Sequence, residues 1–258
     1  MKLYRYMQYK YWKETVLSGR FVAQYPSKFD DVFEGVSNIE TGNPDLGMRL
    51  SNAAFDQFYS ILCFAMADKI DADSDLLMWS LYGDKSNGVR ICVDIPWSST
   101  RVDRYSVCDE ISYDPSVPVL PRSPSVGEVL AKLPYGESMG FVDPASMDVV
   151  MRCFFSKHPC WQWENEYRIL VSNVETNNFI GFDKTCRRYT VDFLKDCIVG
   201  VDFGLRADRR EARKDIDEVF RNREDINFRF AVANQQLRKI EYANLSDIDG
   251  ILSTYHSM

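Results

Sequence analysis

The stretch Lys157-His158-Pro159-Cys160-Trp161-Gln162-Trp163-Glu164-Asn165-Glu166-Tyr167-Arg168-Ile169-Leu170 concentrates the residue types that could do chemistry. In a strand, side chains two apart share a face, so Glu164, Glu166 and Arg168 would line one side and Tyr167, Ile169 and Val171 the other. Three charges in a row enter a dry core only if paired, so this face must meet water, a cleft or partner charges. An exposed ion-pair ladder is the plainer outcome. The tryptophans just before the carboxylates favour a walled pocket, in which one carboxylate could be tuned for acid, base or electrostatic work. Two carboxylates this close also repel, which would ease protonation of one of them.

Two other clusters carry usable groups. Leu77-Met78-Trp79-Ser80-Leu81-Tyr82-Gly83 places hydroxyls at Ser80 and Tyr82 near a helix end, although Met78, Trp79 and Tyr82 at helical spacing also read as packing. Leu3-Tyr4-Arg5-Tyr6 reads as an N-terminal strand with aromatic packing and an arginine reaching to its rim. A further basic run, Arg206, Arg209, Arg210, Arg213, Lys214, Arg221 and Arg223, is interleaved with Asp208, Glu211, Asp215, Asp217 and Glu218. Pairs four apart, such as Asp217 and Arg221, make a solvated helix face the plain reading, with nucleic acid the sharper one.

The elements that position these groups follow from periodicity and punctuation. Lys10–Ser18 reads as a helix closed by Gly19, and Arg20–Gln24 as a strand. Helices are expected over Asp45 to Tyr59, over Ser74 to Leu81 with Ser74 or Asp75 as N-cap, from Ser125, and from Asp143-Pro144 to Lys157. Ile61–Ala65 is a short apolar strand. From Gly88 to Ile95 apolar and polar residues alternate: Val89, Ile91, Val93 and Ile95 point one way and Arg90, Cys92 and Asp94 the other, the pattern of a half-buried strand with the second row toward water. Val107–Tyr113, Glu166–Ser172 and Cys197–Val201 read as strands. Ala207–Arg221 reads as a helix with Ala212, Ile216, Val219 and Phe220 inward, and Ile226–Val232 and Leu237–Tyr242 as a closing pair. Helices and strands mix without βαβ alternation, so the expected fold is α+β, a curved and mostly antiparallel sheet flanked by helices, in a single domain over residues 1–258.

Composition bounds the function classes. The chain has 258 residues, 45% of them hydrophobic, so it can fill a core without staples. Its net charge of −7 excludes nucleic-acid binding by bulk charge and leaves only a local basic stripe. No apolar run reaches the ~18 residues of a membrane span. The opening Met1–Met7 lacks the apolar stretch of a signal peptide. The seven cysteines are scattered and odd in number, with no CxxC pair, which points to free thiols in the cytoplasm. The only histidines are His158 and His256 and nothing has ligand spacing, so no metal site is expected.

Taken in order, Tyr4-Arg5-Tyr6, Asp30 to Glu34, Cys63-Phe64-Ala65, Trp79-Ser80-Leu81-Tyr82 with Gly88, and Trp161-x-x-Glu164-x-Glu166-Tyr167-Arg168 resemble the motif series of a bacterial family, domain of unknown function 2971. The last segment is the most specific. The chain departs from that pattern where the family's His is Leu81, its Ser is Ala65, and its Asn and Pro are Asp30 and Val32. The family name implies no reaction. A looser analogy is to ADP-ribosyltransferases of the Arg-Ser-Glu type, which place an Arg, a Ser and a Glu-x-Glu pair in the order of Arg5, Ser80 and Glu164-x-Glu166. That analogy implies NAD as a substrate rather than a resident cofactor. Glu166, Glu164, Ser80 and Tyr82 would be catalytic; Arg5, Tyr6, Arg168 and Trp161 would hold the nucleotide. An Arg would pair with phosphate, Glu166 would stabilise the ribose cation, and Glu164 would orient the nucleophile. Three function classes stand: an NAD-consuming enzyme, a nucleic-acid-acting stress or defence protein, and a non-catalytic module that binds a nucleotide-like small molecule.

Overall fold

A strand and a short helix stopped by glycine open the fold. In the computed structural model, which describes residues 1–29, 38–39, 56, 59–96, 100–103, 106–116, 119–120, 151–173, 180–183, 188–191 and 194–245, strand β1 (Lys2–Met7) runs into helix α1 (Tyr9–Ser18). Gly19 closes α1 at φ 74° and donates its N–H to the carbonyl of Thr15. A Cβ there would stand 2.3 Å from the Cβ of Lys195. Gly19→Ala therefore combines left-handed strain with a clash, and a chemical denaturation curve will show a loss of more than ~1 kcal/mol.

After α1 come β2 (Phe21–Val22), β3 (Asn38–Ile39) and β4 (Tyr59–Met66), then helix α2 (Ala72–Leu81) and β5 (Val89–Asp94). Next are β6 (Thr100–Asp103), β7 (Ser106–Glu110), β8 (Ser112–Tyr113), β9 (Val119–Leu120), β10 (Ser156–Lys157) and β11 (Glu166–Ser172). The chain closes with β12 (Ile180–Asp183), β13 (Arg188–Val191), β14 (Ile198–Phe203), helix α3 (Arg209–Phe220), β15 (Asn227–Asn234) and β16 (Lys239–Asn244). Helices and a large mixed sheet make this an α+β protein. No described helix is long and apolar enough to cross a membrane. The chain packs as two compact units, each drawn from separated stretches.

The first unit comprises residues 1–20, 64–96 and 192–258. Its strands run in the order β16-β15-β14-β5-β1-β4, antiparallel at every neighbour except the parallel pair β14–β15. That exception follows from α3, which carries the chain over between the two parallel strands. Register places Leu3 opposite Val93 and Arg5 opposite Ile91, so Leu3, Arg5 and the apolar residues of β5 share a face. Helices α1 and α3 cover this face. Trp12 meets Phe203 edge-on at 5.3 Å, Phe203 stacks on Phe230 at 4.9 Å, and Ala212, Ile216 and Val219 of α3 are buried. Phe220, expected inward, is exposed at the end of α3. The opposite face carries Tyr4, Tyr6, Arg90 and Asp202, and α2 packs on it. Asp71 caps α2, accepting the Ser74 N–H at 2.8 Å, which moves the cap from the expected Ser74 or Asp75 and turns Asp75 inward.

The second unit comprises residues 21–63 and 97–191. In it β11 pairs antiparallel with β7, and β7 with β6. Smaller pairings are β10 with β8, β3 with β9, and the three-stranded set β12-β13-β2. Tyr167, Ile169 and Val171 are buried on one face of β11, and Tyr59 meets Phe154 edge-on at 4.9 Å. The helices expected at Asp45 and Ser125, the start of the one expected at Asp143, and the Asp30 to Glu34 motif fall almost wholly outside the described residues. The end of the Asp143 helix is described: residues 151–155 are helical, and Ser156-Lys157 is already strand.

Candidate functional site

The Trp-x-x-Glu-x-Glu-Tyr-Arg segment is not one strand. Pro159–Glu164 forms a 3-10 helix whose N-cap, His158, accepts the Cys160 N–H at Nδ1, and Asn165 closes it in the left-handed region at φ 44°. Strand β11 begins only at Glu166. Glu164 and Glu166 therefore do not share a strand face, as alternation would have it. The left-handed step at Asn165 brings both to one lysine instead.

That lysine is Lys157, on β10. Its Nζ donates to Glu164 Oε2 at 2.5 Å and to Glu166 Oε2 at 3.2 Å, and stands 4.9 Å from the centre of the Trp161 ring. Arg168 takes the other side of Glu166, with Nε on Oε1 at 2.8 Å and Nη2 on Oε2 at 3.1 Å. Its Nη1 donates to the Phe154 carbonyl at 2.6 Å, in the last turn of the 151–155 helix, where a cation meets the negative helix end. The Glu166 backbone is held as well: its N–H donates to Tyr113 Oη at 2.9 Å and its carbonyl accepts the Ile111 N–H at 2.9 Å.

All four charged side chains are buried, Arg168 at 0% exposure, and two cations balance two carboxylates. The expectation that these charges face water, a cleft or partners resolves to partners. Burial pushes the Glu166 carboxyl up, but Arg168 and Lys157 beside it, with hydrogen bonds from Arg168 and the Cys63 thiol, outweigh that and bring it down to about 2. Repulsion from Glu164, expected to ease protonation, is overridden because Lys157 lies between the two carboxylates.

The first unit holds a second buried network. Arg90 donates through Nε and Nη2 to Asp202 Oδ2 at 2.9 and 2.7 Å, and through Nη1 to Asp75 Oδ1 at 2.9 Å. Its guanidinium lies 3.9 Å from the Tyr4 ring centre and 4.1 Å from that of Tyr242. Tyr6 and Tyr242 donate to Asp75 at 2.6 and 2.5 Å, Trp79 Nε1 donates to Tyr242 at 2.9 Å, and Arg229 binds Asp202 through Nε at 2.7 Å. Burial, with Asp75 beside them, pushes both phenols up and keeps them protonated as donors. Arg90 and Cys92, expected to face water, are buried, and of their row only Asp94 is exposed.

The sequence-derived candidates are thus distributed as follows. Glu164, Glu166, Arg168 and Trp161 come together around Lys157 in the second unit. Tyr6 joins the Arg90 network in the first, while Arg5 points to the other face of β1. Ser80 is exposed on α2, which packs on the Tyr6 face, and Tyr82 is the C-cap residue of α2. Arg5 and Ser80 therefore lie on opposite sides of the first unit's sheet. Sequence reasoning passed over Lys157, Arg90, Asp75, Asp202 and Arg229. The available signal was a charge inside an apolar strand: Asp202 in Ile198–Phe203 and Arg90 in Val89–Asp94. Among the described residues no group of three His, Cys, Asp or Glu side chains could hold a metal ion.

No family model matches the chain, and neither a curated protein nor a solved structure matches it.

Proposed function

We propose that this protein is a binding module and that its Glu-x-Glu segment is a structural clamp. One observation carries the reading: Glu166 is buried with both carboxylate oxygens taken by Arg168, and one of them by Lys157 as well. A carboxylate that stabilises a ribose cation or activates a nucleophile must offer an oxygen to the reacting atoms. Glu166 offers its oxygens to its own clamp. The opposite placement of Arg5 and Ser80 supports the same reading, because the NAD analogy needs them at one pocket. The ligand class is a nucleotide-like small molecule. The cytoplasmic assignment is part of the proposal and is supported by described cysteines that are thiols rather than disulfides. So are the curved, mostly antiparallel sheet and the likeness to domain of unknown function 2971, which rests on the order of its motifs.

The NAD-consuming transferase is the second reading. What favours it is that Glu166 stays ionised at neutral pH, the state needed opposite a ribose cation. Nicotinamide release from NAD by the purified chain, with and without cell lysate as target, separates the two. The clamp reading expects no release from wild type and a lowered melting temperature for Glu166→Gln. Release by wild type that Glu166→Gln abolishes, at unchanged melting temperature, would overturn it in favour of the transferase. A melting-temperature screen against NAD, nucleotides and short RNA then ranks ligands, since binding to the native state alone raises the transition.

A further inference from the structure

Helix α3 presents a line of cations that the rest of the unit leaves unused. At 3.6 residues per turn, Arg210, Lys214 and Arg221 fall within about 40° of one another around the helix axis. They stand opposite the buried Ala212, Ile216 and Val219. All three are exposed, and their side chains make no hydrogen bond or ion pair among the described residues. Arg206, also exposed, stands just before the helix.

The acidic residues interleaved with them in sequence do not neutralise this line. Asp208 is the N-cap and accepts the N–H groups of Arg210 and Glu211 at 2.8 and 3.1 Å. Asp215 accepts from Tyr9 at 2.9 Å and from Lys13 at 3.0 Å, and Glu218 from Lys13 at 2.9 Å, all across the α1–α3 contact. Asp217 lies on the same helix face as the cations, and its charge is met by Arg213 at 3.5 Å. Glu211 sits in the first turn, where a carboxylate complements the helix N-terminus. The sequence shows an alternating-sign helix. The folded unit spends most of its negative charge on capping and on α1, and leaves positive charge facing solvent.

We infer that the α3 stripe binds the phosphate backbone of a nucleic-acid duplex. Charge complementarity selects the partner, since a linear row of cations matches a linear polyanion. Arg210 and Lys214 are about 6 Å apart along the axis and Lys214 and Arg221 about 10 Å, at ~1.5 Å per residue. Duplex phosphates recur every ~3.4 Å of axis on each strand, so three contacts fit along one helix face. Arginine forks onto phosphate oxygens, and contacts of this kind set affinity without reading sequence. The bulk charge of −7 opposes association, so binding depends on this stripe and falls steeply with salt. The inference adds a partner to the binding reading above.

The test is fluorescence anisotropy of labelled, mixed-sequence duplex DNA and duplex RNA titrated with the full chain. Anionic phospholipid vesicles are assayed in parallel by flotation. Three phosphate contacts predict a slope near −2.7 in log affinity against log salt, or roughly 40-fold weaker binding between about 50 and 200 mM salt. The Arg210→Gln/Lys214→Gln/Arg221→Gln variant should lose this binding while melting like wild type, because the three side chains make no internal bond. Lys69→Gln, an exposed lysine in the turn after β4 and outside α3, should bind as wild type does. Lys214→Glu alone should weaken binding and flatten the slope. Equal duplex binding by the triple variant, no salt-dependent duplex binding by wild type, or binding to vesicles in place of duplexes would each overturn the inference. Absence of duplex binding together with absence of nicotinamide release would leave the clamp reading standing and remove only the partner.

Discussion

Arg168→Ala will cost about 3–5 kcal/mol of unfolding free energy, the largest loss expected from any single change in the second unit. Arg168 is fully buried, so its removal leaves the buried Glu166 with only Lys157 and the Cys63 thiol as side-chain donors. The Phe154 carbonyl loses its donor in the same step. Arg168→Lys will recover only part of the loss, because an ammonium cannot bridge both carboxylate oxygens and the carbonyl in the planar geometry of a guanidinium. Urea denaturation read by tryptophan fluorescence measures it. An unchanged midpoint with lost ligand binding would make Arg168 a ligand contact instead of a brace.

The same clamp predicts an acid limb. A carboxyl lowered from 4.5 to about 2 in the folded protein is charged over a range in which the unfolded chain binds the proton. Its contribution, on the order of 3 kcal/mol, is complete above pH ~4.5 and is lost as pH falls toward ~2. Glu166→Gln should flatten that limb. A wild-type stability profile level from pH 5 to 2 would contradict the ionised clamp.

Arg90→Leu will destabilise the first unit by a similar ~3–5 kcal/mol. Arg90 binds Asp75 and Asp202 at once, and both carboxylates are buried. Without it, Asp75 keeps only phenolic donors and Asp202 keeps Arg229. Tyr4 and Tyr242 also lose the cation stacked between them, worth roughly 1–2 kcal/mol when desolvated. Replacing the charges together, as in Arg90→Leu/Asp75→Leu, should cost less than the sum of the single losses, since a buried charge hurts most when stranded. An additive cycle would show that the pair does not act as a unit. Hydrogen exchange will place the Arg90→Leu effect in β1, β5 and β14.

Much of the fold was legible because it is local. Gly19 stopped α1, alternation located β5, the apolar face of α3 was read correctly at Ala212, Ile216 and Val219, and β15 and β16 were read as a closing pair. Errors cluster where a distant residue decides. Arg90 looked solvent-facing because its partner Asp202 lies 112 residues away. Phe220 looked inward because periodicity does not show where the sheet beneath α3 ends.

The sequence by itself determined which residue types would matter: the Glu-x-Glu-Tyr-Arg run, the aromatic first strand and the basic helix all proved to be places where charge is managed. What each one does was decided only by tertiary structure. A charge has no fixed role along a chain, since its cost or use depends on what stands within about 4 Å of it in a medium of low dielectric. Lys157 and Arg168 make the carboxylates a clamp, and Lys13 and Tyr9 draw the acids of α3 away from its cations. Left-handed Asn165 turns two apparent strand neighbours onto one ammonium.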